Sequence, residues 1–209
     1  MKPKKSISVS WSSKLAYLVG VIATDGNLSI DGRHIILTSK DKVLLSDIKK
    51  SFKLTIKIGQ KARGGEKEKK YFVLQIGDKK FYEFLQSIGL TTNKSKTINA
   101  LLIPSIYFSH FLRGCVDGDG NIDIFKHKQS SHKQLRIRLA SASLCFIEWV
   151  ASQIKQELTI SRGWVYSPKN KSWHVLTYGK TDSIAILRYM YKNKNLFLKR
   201  KYKLAQQFL

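Results

Sequence analysis

The sequence predicts an α+β fold made of two pseudo-symmetric copies of one αββαββα unit. Three observations carry this. A nine-residue segment recurs 94 residues later, the helical and strand periods alternate in step with it, and basic charge is shared evenly between the halves. The segment is Leu18-Val19-Gly20-Val21-Ile22-Ala23-Thr24-Asp25-Gly26, and it returns as Leu112-Arg113-Gly114-Cys115-Val116-Asp117-Gly118-Asp119-Gly120. The match continues: Asn27-Leu28-Ser29-Ile30 parallels Asn121-Ile122-Asp123-Ile124, and Ile36-Leu37-Thr38-Ser39 parallels Arg138-Leu139-Ala140-Ser141.

Each copy opens on an apolar helix, Ser12–Thr24 and Ser105–Gly118, the first with Ser12 or Ser13 as N-cap. Two strands follow, at about 27–31 and 34–39, answered by 121–126 and 133–140. A helix is expected at about 41–52 and again at 142–157. Two further strands fall near 54–62 and 70–77, with Gly64-Gly65 as their turn, and near 162–167 and 172–179. A helix near 78–88, and one near 181–191, closes each unit. Lysine clusters end both halves, Asn93-Lys94-Ser95-Lys96 and Leu198-Lys199-Arg200-Lys201. The chain divides into a basic N-terminal tail (1–11), a first repeat (12–100) and a second (101–209).

The charge points to a polyanion. Lys and Arg number 38 against 14 Asp and Glu, a formal net of +24. Residues 1–104 hold 20 basic and 8 acidic residues, residues 105–209 hold 18 and 6, so both halves face the same kind of partner. Strand alternation places the contacts. Leu135, Ile137 and Leu139 share one face, and Gln134, Arg136 and Arg138 share the other. Leu54, Ile56 and Ile58 oppose Thr55, Lys57, Lys61 and Arg63 in the same way. Arg33, Lys40 and Gln75 in the first half complete the expected double-stranded DNA contacts, with Lys126, Lys128 and Arg162 in the second. The aromatics Trp164, Tyr166 and Trp173 on strands are expected in the core.

Several classes are set aside. Cys115 and Cys145 have no metal-ligand or disulfide-framework spacing; both are expected in the core, consistent with a reducing compartment. None of the five histidines has zinc-like spacing; His127 and His132, flanking a Ser-rich loop, are expected at solvent or phosphate. No stretch approaches the roughly 20 apolar residues of a membrane span, and Met1–Ser10 has no apolar run of leader length. The abundance of Lys, Ile, Asn and Ser fits AT-rich coding, as in organelles and many microbial genomes, so an intracellular setting is expected.

The chemistry sits at the ends of the repeated helices. Gly20 and Thr24, like Gly114 and Gly118, are four residues apart and share a helix face. Small residues there let two helices approach along their length, making Gly20 and Gly114 the expected interface. Asp25 and Asp119 then meet at the last turns, each followed by a glycine suited to a left-handed C-cap. Carboxylates at the negative ends of two helices, and close to each other, call for a divalent cation. Hard oxygen ligands suit Mg²⁺, with Thr24 and Gly118 beside the acids, and such ions serve in-line phosphodiester displacement.

The two nonapeptides resemble the LAGLIDADG motif of homing endonucleases, in the single-chain, two-motif form. The second matches closely; the first departs at its sixth residue, with Ala23 where the family often has an acid. The resemblance spans about residues 12–205. It implies motif helices at the interface and antiparallel sheets forming a saddle on DNA. Asp25 and Asp119 would be the metal-binding acids of a site-specific double-strand endonuclease, cutting a long asymmetric target across the minor groove to leave four-base 3′ overhangs. It also implies a basic residue beside each active site, Lys94 or Lys96 and Lys199 or Lys201. Ser39 and Ser141 resemble positions that organise water. Two rivals share the fold: an RNA maturase acting on an intron, and a DNA-binding regulator that does not cut. A monomer with internal pseudo-two-fold symmetry is expected.

Overall fold

The structure, a computed structural model, describes residues 6–62, 68–126, 132–160 and 163–209. The first repeat contains α1 (Ser13–Asp25), β1 (Gly26–Leu28), β2 (His34–Ser39), α2 (Lys42–Ser51), β3 (Gly59–Lys61), β4 (Tyr71–Gly77) and α3 (Lys79–Ser87). The second contains α4 (Ser105–Asp119), β5 (Gly120–Lys126), β6 (Lys133–Ser141), α5 (Leu144–Leu158), β7 (Trp164–Tyr166), β8 (His174–Tyr178), α6 (Lys180–Tyr191) and α7 (Lys199–Ala205). Each repeat has one antiparallel sheet, in the orders β1-β2-β4-β3 and β5-β6-β8-β7. The same topology is therefore drawn twice.

Local chemistry repeats as well. The Ser12 hydroxyl caps α1 by accepting from Leu15 N–H at 3.2 Å. Asp41 caps α2 and Ser143 caps α5. Both caps are held by a serine two residues earlier: Ser39 Oγ accepts from Asp41 N–H, and Ser141 Oγ from Ser143 N–H, each at 3.1 Å. The two serines whose resemblance suggested a role with water thus build the turns into the following helices.

Alternation along the strands decides the layers. Ile35, Leu37, Leu74 and Ile76 in the first sheet, and Leu135, Ile137, Leu139 and Leu176 in the second, are buried against the helices. Burying a large aliphatic side chain contributes about 1.5–3 kcal/mol, so these rows fix which face is core. The core runs through both repeats. It also includes Ile7, while Trp11 packs edge-on against Phe84, centroids 5.4 Å apart. Residues 6–11 are therefore part of the fold rather than a free tail; residues 1–5 lie outside the described set.

Four expectations change. β3 and β7 are only three residues long; 54–58 keeps the alternating burial of a strand without joining the ladder. The chain ends in an additional helix, α7. Cys115 is buried, but Cys145 is exposed, because its side chain falls on the outer side of α5. Gly26 and Gly120 are extended, at φ −95° and −85°, rather than left-handed. The turn Gly64-Gly65 and His127 lie outside the described residues. Among the described residues no helix is long and apolar enough to cross a membrane.

Candidate active site

α1 and α4 meet backbone to backbone. A Cβ on Gly20 would overlap the Phe111 carbonyl oxygen and lie 3.0 Å from Gly114 Cα; one on Gly114 would overlap the Tyr17 carbonyl oxygen and lie 3.1 Å from Gly20 Cα. Thr24 and Gly118 continue the seam. A Cβ on Gly118 would overlap the Thr24 hydroxyl and stand 3.5 Å from an Asp25 carboxylate oxygen. Thr24 turns its hydroxyl back onto α1, donating to the Gly20 and Val21 carbonyls at 3.2 Å.

The seam delivers Asp25 and Asp119, the last residues of α1 and α4, to one place. Burial first, and then the neighbouring charge of Asp119 with which it also shares a hydrogen bond, push the Asp25 carboxyl up to about 7. Lys201 and Lys94 oppose that rise. The glycines that follow are required by crowding. A Cβ on Gly26 would come within 2.6 Å of the Ile22 carbonyl oxygen, and one on Gly120 within 2.6 Å of that of Val116. Each chain passes straight from the last helical turn into β1 or β5, which fixes the direction of the preceding acid.

One lysine seals the end of each helix. Lys94 is 4% exposed, and its Nζ donates to the Ala23 carbonyl at 2.8 Å. Lys201 is 3% exposed, and its Nζ donates to the carbonyls of Val116 (2.5 Å), Asp117 (3.0 Å) and Gly120 (2.7 Å). These carbonyls carry the negative end of the helix dipole, so a cation is favoured there. Burial lowers both ammonium groups to about 8, against the attraction of Asp25 and Asp119. Lys96 and Lys199 are exposed. Of each pair of lysines in the sequence, the structure brings Lys94 and Lys201 to the acids and leaves the other at the surface.

A cleft of about 1070 Å³ opens beside the acids, lined by Thr24, Asp25, Gly118 and Asp119 and by Lys40, Lys42, Lys61 and Arg200. A smaller hollow of about 160 Å³ adjoins Lys94, Asp119 and Ser141. The cleft continues onto the open face of the first sheet. There Asn27, Ile36 and Gln75 share a rung, Lys61 pairs with Tyr71, and Lys40 stands 5.3 Å from the Tyr71 ring centre. Arg33 and Lys57 are exposed beside it. On the second sheet the open face carries Asn121, Asp123, Gln134, Arg136 and Arg138, with Lys126 at the strand end. Arg138 is salt-bridged to Asp123, and Arg136 lies 4.1 Å from the Phe125 ring centre. Arg63, Lys128 and Arg162 lie outside the described residues. Trp164, Tyr166 and Trp173 are not in the core; they are exposed, because the register puts Trp164 on the same rung as Arg138.

Residues 12–89 match the family described as LAGLIDADG-like domain. The fold agrees across nearly the whole chain with that of the I-LtrWI LAGLIDADG homing endonuclease bound to target DNA: TM-score 0.62, 14% identity, covering 96% of this chain and 90% of the other. The chain has the two-motif LAGLIDADG fold. A variant of I-DmoI, in complex with its target DNA in the presence of Mg²⁺, is similar at TM-score 0.57 and 16% identity, covering 87% of this chain and 97% of the other. Full-length DUF199/WhiA from Thermatoga maritima is similar at TM-score 0.55 and 14% identity; 95% of this chain is covered, but the chain spans only 63% of WhiA. No curated protein matches the sequence.

The LAGLIDADG helices also hold a buried polar network that the sequence did not reveal. The sixth motif residue is Asp117 in the second copy and Ala23 in the first. Asp117 Oδ2 accepts from the Tyr17 hydroxyl and from Leu198 N–H, both at 2.8 Å. Leu198 is the N-cap of α7, which carries Lys201. Burial, with smaller opposing contributions from these hydrogen bonds, leaves the Asp117 carboxyl above its ordinary range. Arg113, fully buried, donates to the carbonyls of Leu196 (2.8 Å) and Met190 and to His110 Nδ1 (2.8 Å). An arginine within an apolar motif helix was the available signal. Lys42 and Arg200 of the cleft were not singled out either; Arg200 joins the repeats by pairing with Asp41 at 3.1 Å.

Proposed function

We propose that this chain is a site-specific DNA endonuclease that hydrolyses one phosphodiester in each strand, with one aspartate from each repeat. One observation carries the reading: Asp25 and Asp119 meet at the ends of the two glycine helices, between Lys94 and Lys201, at the floor of a basic cleft. A purely structural role does not account for two neighbouring carboxylates that repel each other, one of them, Asp25, largely withdrawn from solvent. The net charge of +24, and the similarity to enzymes solved on their target DNA, support duplex DNA as the partner.

The donor set fits Mg²⁺. Two carboxylates, with Thr24 and Gly118 alongside, offer hard oxygens, and phosphate and water would complete the shell. Among the described residues no group of three or more His, Cys, Asp or Glu side chains gathers, so a softer, fully protein-bound metal has no obvious place. When bound, the ion would neutralise charge on the phosphate and activate water. Lys94 and Lys201, held by the helix-end carbonyls, would add fixed positive charge beside the phosphate. The basic and polar residues of the sheets would position the duplex and read base edges. The product would be a break across the minor groove with four-base 3′ overhangs. We take the protein to act as a monomer, on a long asymmetric site, within an organelle or a microbial cell.

The fold's occurrence in WhiA, which is not described as a nuclease, favours a DNA-binding regulator that does not cut as the second reading. A plasmid library of randomised inserts, incubated with the chain and Mg²⁺, separates them. Cleavage by the wild type, lost in Asp25→Asn and Asp119→Asn while duplex binding persists, supports the endonuclease. Salt-sensitive binding without cleavage by any form supports the regulator.

A further inference from the structure

Among the described residues, the aromatic side chains that stand exposed all lie in one place. Trp164 (49% exposed), Tyr166 (56%) and Trp173 (42%) crowd the edge of the second sheet. The protein's other two tryptophans pack against its core. Register fixes which way Trp164 and Tyr166 face. Trp164 pairs with Thr177, Thr177 with Arg138, and Arg138 with Asn121, so the indole shares the open face with the polar and basic row. Tyr166 shares that face through Val175 and Ala140. Trp173 meets Tyr166 edge to face, centroids 6.1 Å apart. Among the described residues the first sheet has no exposed aromatic there: β3 presents Gly59 and Lys61 on that side, and Tyr71, opposite Lys61, is half-buried. The open face of the second sheet is thus divided, with Gln134, Arg136 and Arg138 on β6 and an aromatic patch made by β7 and by Trp173, the residue that leads into β8.

Exposed aromatics of this size, clustered and flanked by arginines, mark a contact surface. Resting on the DNA reading above, we propose that the patch reads the 5-methyl groups of thymines in the major groove of one half-site. Arg138, on the rung of Trp164, and Arg136 two residues along β6 on the same face would anchor on phosphates and guanines, which places the rings over base edges. Along those edges the thymine methyl is the one bulky apolar group among hydrogen-bond donors, acceptors and small ring C–H positions. The edge-to-face packing of Tyr166 and Trp173 presents ring edges and corners, suited to methyl contacts, and leaves no parallel slot for an unstacked base. Because the first sheet lacks the patch, the preference belongs to one half of the target.

The test uses the full chain without divalent cation, so that binding is read apart from cutting. A randomised 30-base-pair duplex library is selected for binding, and each thymidine of an enriched duplex is then replaced singly by deoxyuridine, which removes only the methyl. Fluorescence anisotropy should show thymines of one half-site at which uracil weakens binding about fourfold each, the value of one buried methyl. A Trp164→Ala/Tyr166→Ala variant should bind the thymine and uracil duplexes equally and keep the salt dependence of the wild type. A duplex that is enriched but shows no uracil penalty, or the same penalty in the variant, overturns this inference alone. Self-association that disappears in the variant, without a uracil penalty, also overturns it in favour of a second copy as occupant. Failure to enrich any duplex overturns it together with the DNA reading.

Discussion

The hydroxyl of Tyr17, on the first repeat's LAGLIDADG helix, donates at 2.8 Å to the carboxylate of Asp117 on the second. The same carboxylate oxygen holds Leu198 N–H, the start of the helix that carries Lys201. One repeat thereby steadies the lysine of the other. Tyr17→Phe removes a hydrogen bond to a buried acid and should cost about 1.5–3 kcal/mol, read by urea unfolding at pH 7. The lysine at one site would be loosened and the other, Lys94, left as it is. Nicked plasmid should therefore accumulate ahead of the linear product. Equal slowing of both cuts would show that the network does not act through α7.

Gly20→Ala and Gly114→Ala each force a methyl into a carbonyl oxygen of the facing helix. Backbone cannot rotate away as a side chain can, so each variant should lose about 3 kcal/mol or more, or fail to fold. Gly59→Ala, with nothing within 4 Å of the added carbon, should stay within about 0.5 kcal/mol. Comparable losses at all three positions would show that the helices can part at little cost.

The carboxyl of Asp25 is raised to about 7 in the folded chain, from an ordinary value near 3.8. A group raised on folding contributes stability that is full below the unfolded value and lost as pH rises through the folded one. Without divalent cation, Asp25→Asn should therefore melt higher than the wild type at pH 8, and the gap should close toward pH 4. Each kcal/mol corresponds to about 2–4 °C for a chain of this size. Adding Mg²⁺ at pH 8 should stabilise the wild type more than the variant. A pH-independent difference in melting temperature would mean that neither burial nor Asp119 raises this carboxyl.

Lys94 and Lys201 are lowered to about 8 by burial. Between about pH 8 and 10.5 the unfolded chain binds more protons than the folded one, so each contributes a rise in stability with pH across that window. Lys94→Met should flatten its share of the rise. It should also slow cleavage about 100-fold or more while changing duplex affinity less than twofold, since the ammonium acts on charge developing at the phosphate. Loss of affinity equal to the loss of rate would assign the lysine to binding.

Much of this arrangement was legible in the sequence because it rests on spacing. Gly20 and Gly114 sit five residues before Asp25 and Asp119, and that interval alone brings two helices together and two acids to their ends. The order of strands and helices followed from alternation, and the buried rows Ile35–Leu37 and Leu135–Leu139 agree with it. What escaped depends on which surfaces meet. α7 has too few apolar positions to announce a helix; it forms because Lys201 is captured by carbonyls of α4 and its start is held by Asp117. The same capture separates Lys201 from Lys199, and nothing in a run of basic residues distinguishes them. The sides taken by Trp164 and Tyr166 became decidable only through pairing with β8, since a three-residue strand carries too little alternation to show its own face.

The glycine seam bears on how the two halves could be recombined. Contact through peptide groups reads no side-chain identity, so any half that offers a similarly bare stripe would dock there. What ties these particular halves to each other lies off the seam: Tyr17 with Asp117, Arg200 with Asp41, the Asn195 amide donating to Ser13 Oγ at 2.7 Å and the Ser143 hydroxyl donating to the Ile98 carbonyl at 2.5 Å. A graft of either half onto a foreign partner should therefore join readily and then depend on those pairs, the buried Tyr17–Asp117 pair above all, which is the place to match first when building a chimera.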